Sequence, residues 1–147
     1  MNTQKIYTGN EMSAASVRAF GHYALLAPHV ISMALEHLIV TRWSLPFNFC
    51  ECENGIAFFI PSAQGKFAAG FDAEGNTIEI NETDLGLMVT LMYLNHVIKT
   101  DTREFSAVKN PESQDDKNAL RDKYVQIRNY ARENMSEVAR YLTFGIM

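Results

Sequence analysis

Two cysteines, four prolines and one tryptophan in 147 residues leave no material for a disulfide-stapled or proline-rich architecture. Cys50 and Cys52 sit two apart, and on a strand their Cβ vectors run nearly parallel, a poor geometry for a disulfide. Cys-x-Cys can be half of a metal site, but no second pair exists and no histidine follows at a finger-like spacing. Two small buried thiols are expected. No apolar run approaches the roughly 20 residues needed to span a bilayer. Met1 to Gly9 holds a single lysine and no apolar stretch, unlike a secretion signal, so the expected compartment is the cytoplasm. Phosphate-cradling loops are missing too: Gly65, Gly70 and Gly75 fall five apart and suit sheet turns. There is no Gly-x-Ser-x-Gly elbow.

Positive charge is also scarce. The chain carries 13 bases against 17 acids, a net charge of −4, which excludes a broad nucleic-acid footprint. The acids are concentrated. Residues 45–98 hold Glu51, Glu53, Asp72, Glu74, Glu79, Glu82 and Asp84 against Lys66 alone, whereas the segments on either side each sum to +1. Such a stretch is either a solvated face or a contact face for a basic partner.

What is present is a chain of one domain's length, 47% apolar and 20% charged, with room for a core. Phe47-Asn48-Phe49-Cys50-Glu51-Cys52 alternates with period two, the mark of a half-buried strand. Asn54-Gly55 follows, and then Ile56 to Ile60 supplies a second strand ending at Pro61. Asn-Gly fits a type I′ hairpin turn because glycine accepts positive φ. Runs from Lys66 to Phe71 and from Thr77 to Ile80, divided by Asp72-Ala73-Glu74-Gly75-Asn76, complete an antiparallel meander of about four strands.

The remainder reads as helix. Residues 1–12 lack a period and are expected to be flexible. A helical pattern begins at Ser13, and Pro28, at home in a first turn, marks the start of a second helix; the status of residues 14–27 is open between helix and irregular lead-in. Asn81 or Thr83 caps a helix whose Leu85, Leu87, Met88, Val89, Leu91, Leu94 and Val97 make it apolar almost all round. That helix is expected at the centre of the core. Residues 99–116 form the longest unpatterned stretch, a long loop that Phe105 and Val108 would tether. A helix from Asp115-Asp116 follows, with Leu120, Tyr124, Ile127 and Ala131 inward. Its bases Lys117, Arg121, Lys123, Arg128 and Arg132 are interleaved with Asp122 and Glu133, as on a solvated ion-pair surface. Ser136 caps a last helix, 137–144.

Candidate chemistry is thin. His22, His29 and His37 could share a helical face only if the helix ran through Pro28, and none has a histidine four residues away. Glu51 and Glu53 lie on one face of a strand, with no sign of a pocket to raise one pKa. The residues predict an α+β domain, a small antiparallel meander packed on a buried central helix with helices before and after it. It acts by contact, without catalytic, cofactor or metal residues.

One resemblance adds to this. The block Phe47 to Pro61, followed by Thr83-Asp84-Leu85-Gly86-Leu87-Met88-Val89-Thr90-Leu91 and Leu94-Asn95, resembles antirestriction proteins of the ArdB/KlcA type. Those are written aromatic-x-Phe-x-Glu-x-x-Asn-Gly-Gly-Phe and then Ser-x-Asp-Ala-x-Gly. Tyr124, Arg128, Tyr130 and Ala131 are similar to the family's Tyr-x-x-x-Arg-x-Tyr-Ala helix, and Glu137 to Leu142 to its final helix. The likeness covers residues 28–144. Phe47 stands in place of Trp, Ile56 in place of a second Gly, and Asn81 or Thr83 in place of Ser.

The resemblance implies a protein of plasmids, phages or genomic islands that relieves type I restriction of incoming DNA by non-catalytic contact. Its partner would be the host restriction-modification machinery or an associated DNA-processing protein. Duplex DNA carries about one charge per 1.7 Å, so a chain of net −4 is a poor DNA mimic. Asp72, Glu74 and Glu79 are the candidate contact residues. The alternative is a small-molecule-binding or catalytic domain with a pocket between the sheet and the N-terminal helices, near His22, His29 and Cys50.

Overall fold

The computed structural model describes residues 4–38, 46–52, 55–62, 65–71, 73–99 and 114–146. In chain order the elements are β1 (Gln4–Tyr7), α1 (Gly9–Phe20), a 3-10 stretch (Gly21–Leu26), α2 (Ala27–Leu38), β2 (Phe47–Cys52), β3 (Ala57–Pro61), β4 (Lys66–Phe71), β5 (Thr77–Asn81), α3 (Glu82–Lys99), α4 (Gln114–Asn134) and α5 (Glu137–Ile146). The fold is α+β, and α3 is its centre. Residues 14–20 complete α1, closed at Gly21 in a positive-φ conformation, and 21–26 form the 3-10 stretch that leads into α2.

The four expected strands stand where the alternation put them, but they divide into two antiparallel sheets, β1-β2-β3 and β4-β5. The reason lies on the outer edge of β3. The amide of Phe59 points away from β2 and donates to Thr90 Oγ1 of α3 at 2.9 Å. Thr90 in turn donates to the carbonyl of Gly86 at 2.7 Å, so a helix occupies the edge that β4 would need. Strands β4 and β5 therefore pair only with each other, with an irregularity between Ala68 and Phe71.

Residues 1–12, expected to be loose, contain a strand and the start of a helix. Gln4 to Tyr7 pair antiparallel with Cys52 to Phe49, and α1 begins at Gly9. An edge strand paired on one side is held by its neighbour's ladder, so its own sequence need not alternate. The β2–β3 connection also differs from a two-residue turn. Cys52 and Ile56 close the hairpin through an amide-to-carbonyl bond of 2.8 Å, which leaves three residues between them. Gly55 sits at φ +82° and donates its amide to the Cys52 carbonyl, as the glycine of a three-residue loop does. Asn54 lies outside the described residues. Gly55→Val will cost about 1–3 kcal/mol, because a β-branched residue resists positive φ. Urea midpoints check this, and an unchanged midpoint contradicts it.

Helix α3 begins as its sequence asks. Asn81 Oδ1 accepts from the amide of Asp84 at 2.8 Å, a side-chain cap, with Glu82 and Asp84 at the positive end of the dipole. Leu85, Leu87, Met88, Val89, Leu91, Leu94 and Val97 are all fully buried. Strand β3 and helices α2, α4 and α5 all pack against it, which explains why no face of it is polar. Its approach to β3 depends on Gly86. A Cβ there would run into the Phe59 carbonyl oxygen and stand 3.0 Å from Ile60 Cα. Helix α4 returns antiparallel to α3, since Ser136, just past its end, bonds to Asp84 near the start of α3.

The three-stranded sheet is covered on both faces. Phe49 and Phe59, paired across β2 and β3, meet Phe20 of α1 and Tyr93 of α3 with ring centroids 4.9 to 6.0 Å apart. On the other face Phe58 meets Tyr130 of α4 at 6.2 Å.

Candidate functional site

Of the expected contact acids, Glu74 and Glu79 lie on the β4–β5 ribbon. Ile80 and Phe67 point from it into the core, which leaves Glu79, opposite Ala68, on the exposed face. Glu74 is exposed in the turn at its tip. Asp72 lies outside the described residues. Glu53 likewise lies outside the described residues, and the described acids Glu51, Glu82 and Asp84 do not join the ribbon face. Glu82 accepts from the amide of Gly65 at 3.2 Å. Glu51 lies on the other sheet, 3.4 Å from Arg18 of α1. Asp84 is only 3% exposed and accepts from Ser136 Oγ at 2.9 Å, while that hydroxyl accepts from the amide of Ala139 to cap α5. The acidity that looks continuous along the chain is thus divided between one exposed ribbon, one ion pair and one buried cap.

A cleft does lie between the three-stranded sheet and the N-terminal helices. It holds about 210 Å³ and is walled by Met12, Pro28, Ile31, Leu35, Phe47 and Phe59. Neither His29, which is exposed, nor Cys50, which is fully buried, lines it. The side chains of His22 and His37 are not among the described residues. Apart from Ser32 the described lining is apolar, without the converging polar groups that orient a substrate.

A second, more polar depression opens between the C-terminal end of α1 and α4. It consists of two hollows of about 240 and 180 Å³ that share Arg18, Ala19 and Lys123, with Glu51 and Cys52 bordering the smaller. Arg18 lies 5.5 Å from the centroid of the Tyr7 ring, and Lys5 Nζ lies 4.9 Å from it. Residue patterning missed this grouping because it brings α1, the β2–β3 hairpin and α4 together from distant parts of the chain.

Burial keeps the Cys50 thiol and the Tyr130 phenol beneath it neutral. Cys50 and Cys52 share a face of β2, and the Cys52 thiol lies 3.9 Å from the Tyr130 hydroxyl. Burial, and then the neighbouring Cys52, push the Cys50 thiol from the usual 9.0 up to about 12. Burial and Cys52 likewise raise the Tyr130 phenol. Burial alone raises Tyr93, whose hydroxyl donates to the carbonyl of Tyr23 at 2.6 Å. A thiol held protonated is neither nucleophile nor metal ligand at neutral pH. Among the described residues, no three His, Cys, Asp or Glu side chains converge on a common metal position.

Folding and thiol ionisation are therefore linked. The stability carried by keeping Cys50 protonated is intact below about pH 9.0 and is lost as the pH rises toward about 12. Denaturant titrations across that range should show the decline. Thiol-reactive dye at neutral pH should label both cysteines only after unfolding, and fast labelling of Cys50 in the native protein contradicts the burial argument.

The Tyr-x-x-x-Arg-x-Tyr-Ala segment of α4 has separable roles. Ala131 is fully buried against the core, and Tyr130 covers Phe58 and Cys52. The Arg128 guanidinium lies 5.7 Å from the Tyr124 ring centroid on the other side of the helix.

This arrangement of sheets and helices is found in a solved structure of the KlcA and ArdB proteins. The two superpose with a TM-score of 0.68 over 97% of this chain and 92% of that chain, at 15% sequence identity. This chain has the KlcA/ArdB fold. The structure it matches is described as showing a novel fold and antirestriction activity against type I DNA restriction systems in vivo but not in vitro. The correspondence extends beyond residues 28–144, where the sequence resemblance lies. No family model matches the sequence, and no curated protein matches it.

Proposed function

We propose that this chain relieves type I restriction of incoming DNA through non-catalytic contact with a macromolecule. The observation that carries the reading is the KlcA/ArdB fold over 97% of the chain. Burial holds the Cys50 thiol and the Tyr130 phenol protonated, which supports contact over catalysis. Antirestriction by the KlcA and ArdB proteins in vivo but not in vitro fits an action that needs a cellular component beyond the isolated restriction enzyme. For this chain the partner is the host type I machinery or an associated DNA-processing protein, met in the cytoplasm after entry on a plasmid, phage or genomic island. Whole-surface DNA mimicry fits poorly with a net charge of −4 and dispersed acids. The small-molecule reading would need converging polar groups, and among the described residues Ser32 is the one polar side chain of the cleft.

The ribbon acids Glu74 and Glu79, with Asp72, contribute to the contact. Transformation with an unmodified plasmid, in hosts with and without a type I system, tests this. Expression of the wild-type chain should raise the yield in the restricting host only. Glu74→Lys with Glu79→Lys should lose part of that effect, because exposed charges act mainly on encounter and register. Stability should change by no more than about 0.5 kcal/mol for such surface changes, as a thermal melt would show. No rise with the wild type overturns the function; an equal rise with the double variant removes the ribbon from the contact.

A further inference from the structure

Helix α4 sorts charges that its sequence interleaves. At 3.6 residues per turn, Arg121, Arg128 and Arg132 fall within about 40° of one another around the axis. Asp122 and Glu133 fall on another flank, about 100° away. The arginines of α4 thus form a stripe apart from Asp122 and Glu133, with Lys123 beyond the acids on the far side. Arg121 and Arg132 are exposed and Arg128 is half-buried. Helix α5 adds a fourth guanidinium, since Arg140 Nη1 donates to the carbonyl of Arg132 at 3.1 Å. Val125, 41% exposed, lies beside the three arginines of α4.

The arginines are also restrained. Arg121 Nη1 donates to Asn118 Oδ1 at 3.2 Å, and Arg128 is stacked near Tyr124. The Arg128 Nε is buried and has no hydrogen-bond partner among the described residues. A buried donor left unmatched is costly, so packing against Tyr124 and the helix holds this side chain where it is. Restrained guanidinium groups lose little freedom on binding, and their planar forks match carboxylates in a bidentate way.

We propose that the arginine flank of α4, together with Arg140, docks a partner protein through a carboxylate-rich surface with an apolar residue placed to meet Val125. Four guanidinium groups on a chain of net −4 select an acidic partner by charge complementarity. Arginine with an aromatic and an exposed aliphatic side chain is the composition of a protein interface. A nucleic-acid duplex fits less well. From Arg121 to Arg132 the flank runs only about 16 Å along the axis, and the acidic flank of the same helix would repel a longer phosphate track. The inference goes beyond the antirestriction reading and is tested without a restricting host, so either can fail alone.

The test is fluorescence anisotropy with the full chain and two labelled probes, a synthetic peptide of repeating Glu-Glu-Leu units and a random-sequence DNA duplex. The peptide should bind more tightly than the duplex, and its affinity should rise as salt is lowered. Arg121→Gln with Arg132→Gln should weaken peptide binding about tenfold. Lys66→Glu, which changes the net charge equally on the β4–β5 ribbon, should leave it within about twofold. Circular dichroism establishes that both variants fold, and Arg132→Gln alone should give a smaller loss in the same direction. Duplex binding as tight as peptide binding, equal weakening by Lys66→Glu, or no peptide binding at low salt overturns the proposal. Self-association of the wild type that the arginine variant abolishes also overturns it, since a second copy would then be the occupant.

Discussion

Gly86→Ala will destabilise the protein by about 1–3 kcal/mol, although the same change in an exposed helix gains about 1 kcal/mol. The sign reverses because of what the new methyl group meets. It points at β3, into the Phe59 carbonyl oxygen and 3.0 Å from Ile60 Cα, and both are backbone atoms of a strand paired on its far side. A flexible side chain could swing away; a strand in a ladder moves only with its neighbours. Helix α3 must lift instead, and lifting it stretches the bond from the Phe59 amide to Thr90. A buried N–H that loses its acceptor adds to the cost. A lower urea midpoint with an unchanged slope is the expected record. A neutral or stabilised variant would show that α3 does not approach β3 this closely.

Phe59→Ala will cost more, about 3–5 kcal/mol. Its ring has Phe49 at 4.9 Å, Tyr93 at 5.9 Å and Phe20 at 6.0 Å, so it joins side chains from β2, α3 and α1. Truncation leaves a void bordered by aromatic rings that cannot collapse into it without leaving their own contacts. Against a total stability of about 5–15 kcal/mol, a loss of that size brings the chain near the threshold of folding. Phe59→Leu keeps part of the volume and should recover roughly half the loss. A cost below about 1 kcal/mol for the alanine variant would contradict the aromatic cluster as the centre of the core.

Both substitutions fall on the seam between β3 and α3, and that seam was only half legible in the sequence. The strands β2 to β5, the Asn81 cap and the apolar circumference of α3 followed from local pattern, because each is set by residues close together in the chain. Thr90 and Gly86 gave no such signal. A threonine inside a helix and a glycine four residues before it look like weak positions until the strand edge they serve is known. The split into two sheets was hidden for the same reason, since it depends on Thr90 capturing the Phe59 amide across 31 positions. Strand β1 was missed because its order is borrowed from β2.

The surface was less legible than the core. Net charge over residues 45–98 suggested one acidic region, but Asp84 is turned inward by the packing of α5 and Glu51 is matched by Arg18. On α4, charges that alternate in sequence separate into stripes once wound at 3.6 residues per turn. The resemblance to antirestriction proteins rested on spacing, and the fold it implied is present over nearly the whole chain at only 15% identity.

Relief of type I restriction by this chain is read by plating phage on hosts with and without a type I system while the chain is expressed. Each host is challenged with unmodified phage and with phage already carrying the host's modification. Plating efficiency should rise for unmodified phage on the restricting host and stay level in the other three combinations. A level result in all four, or an equal rise for modified phage, would contradict it.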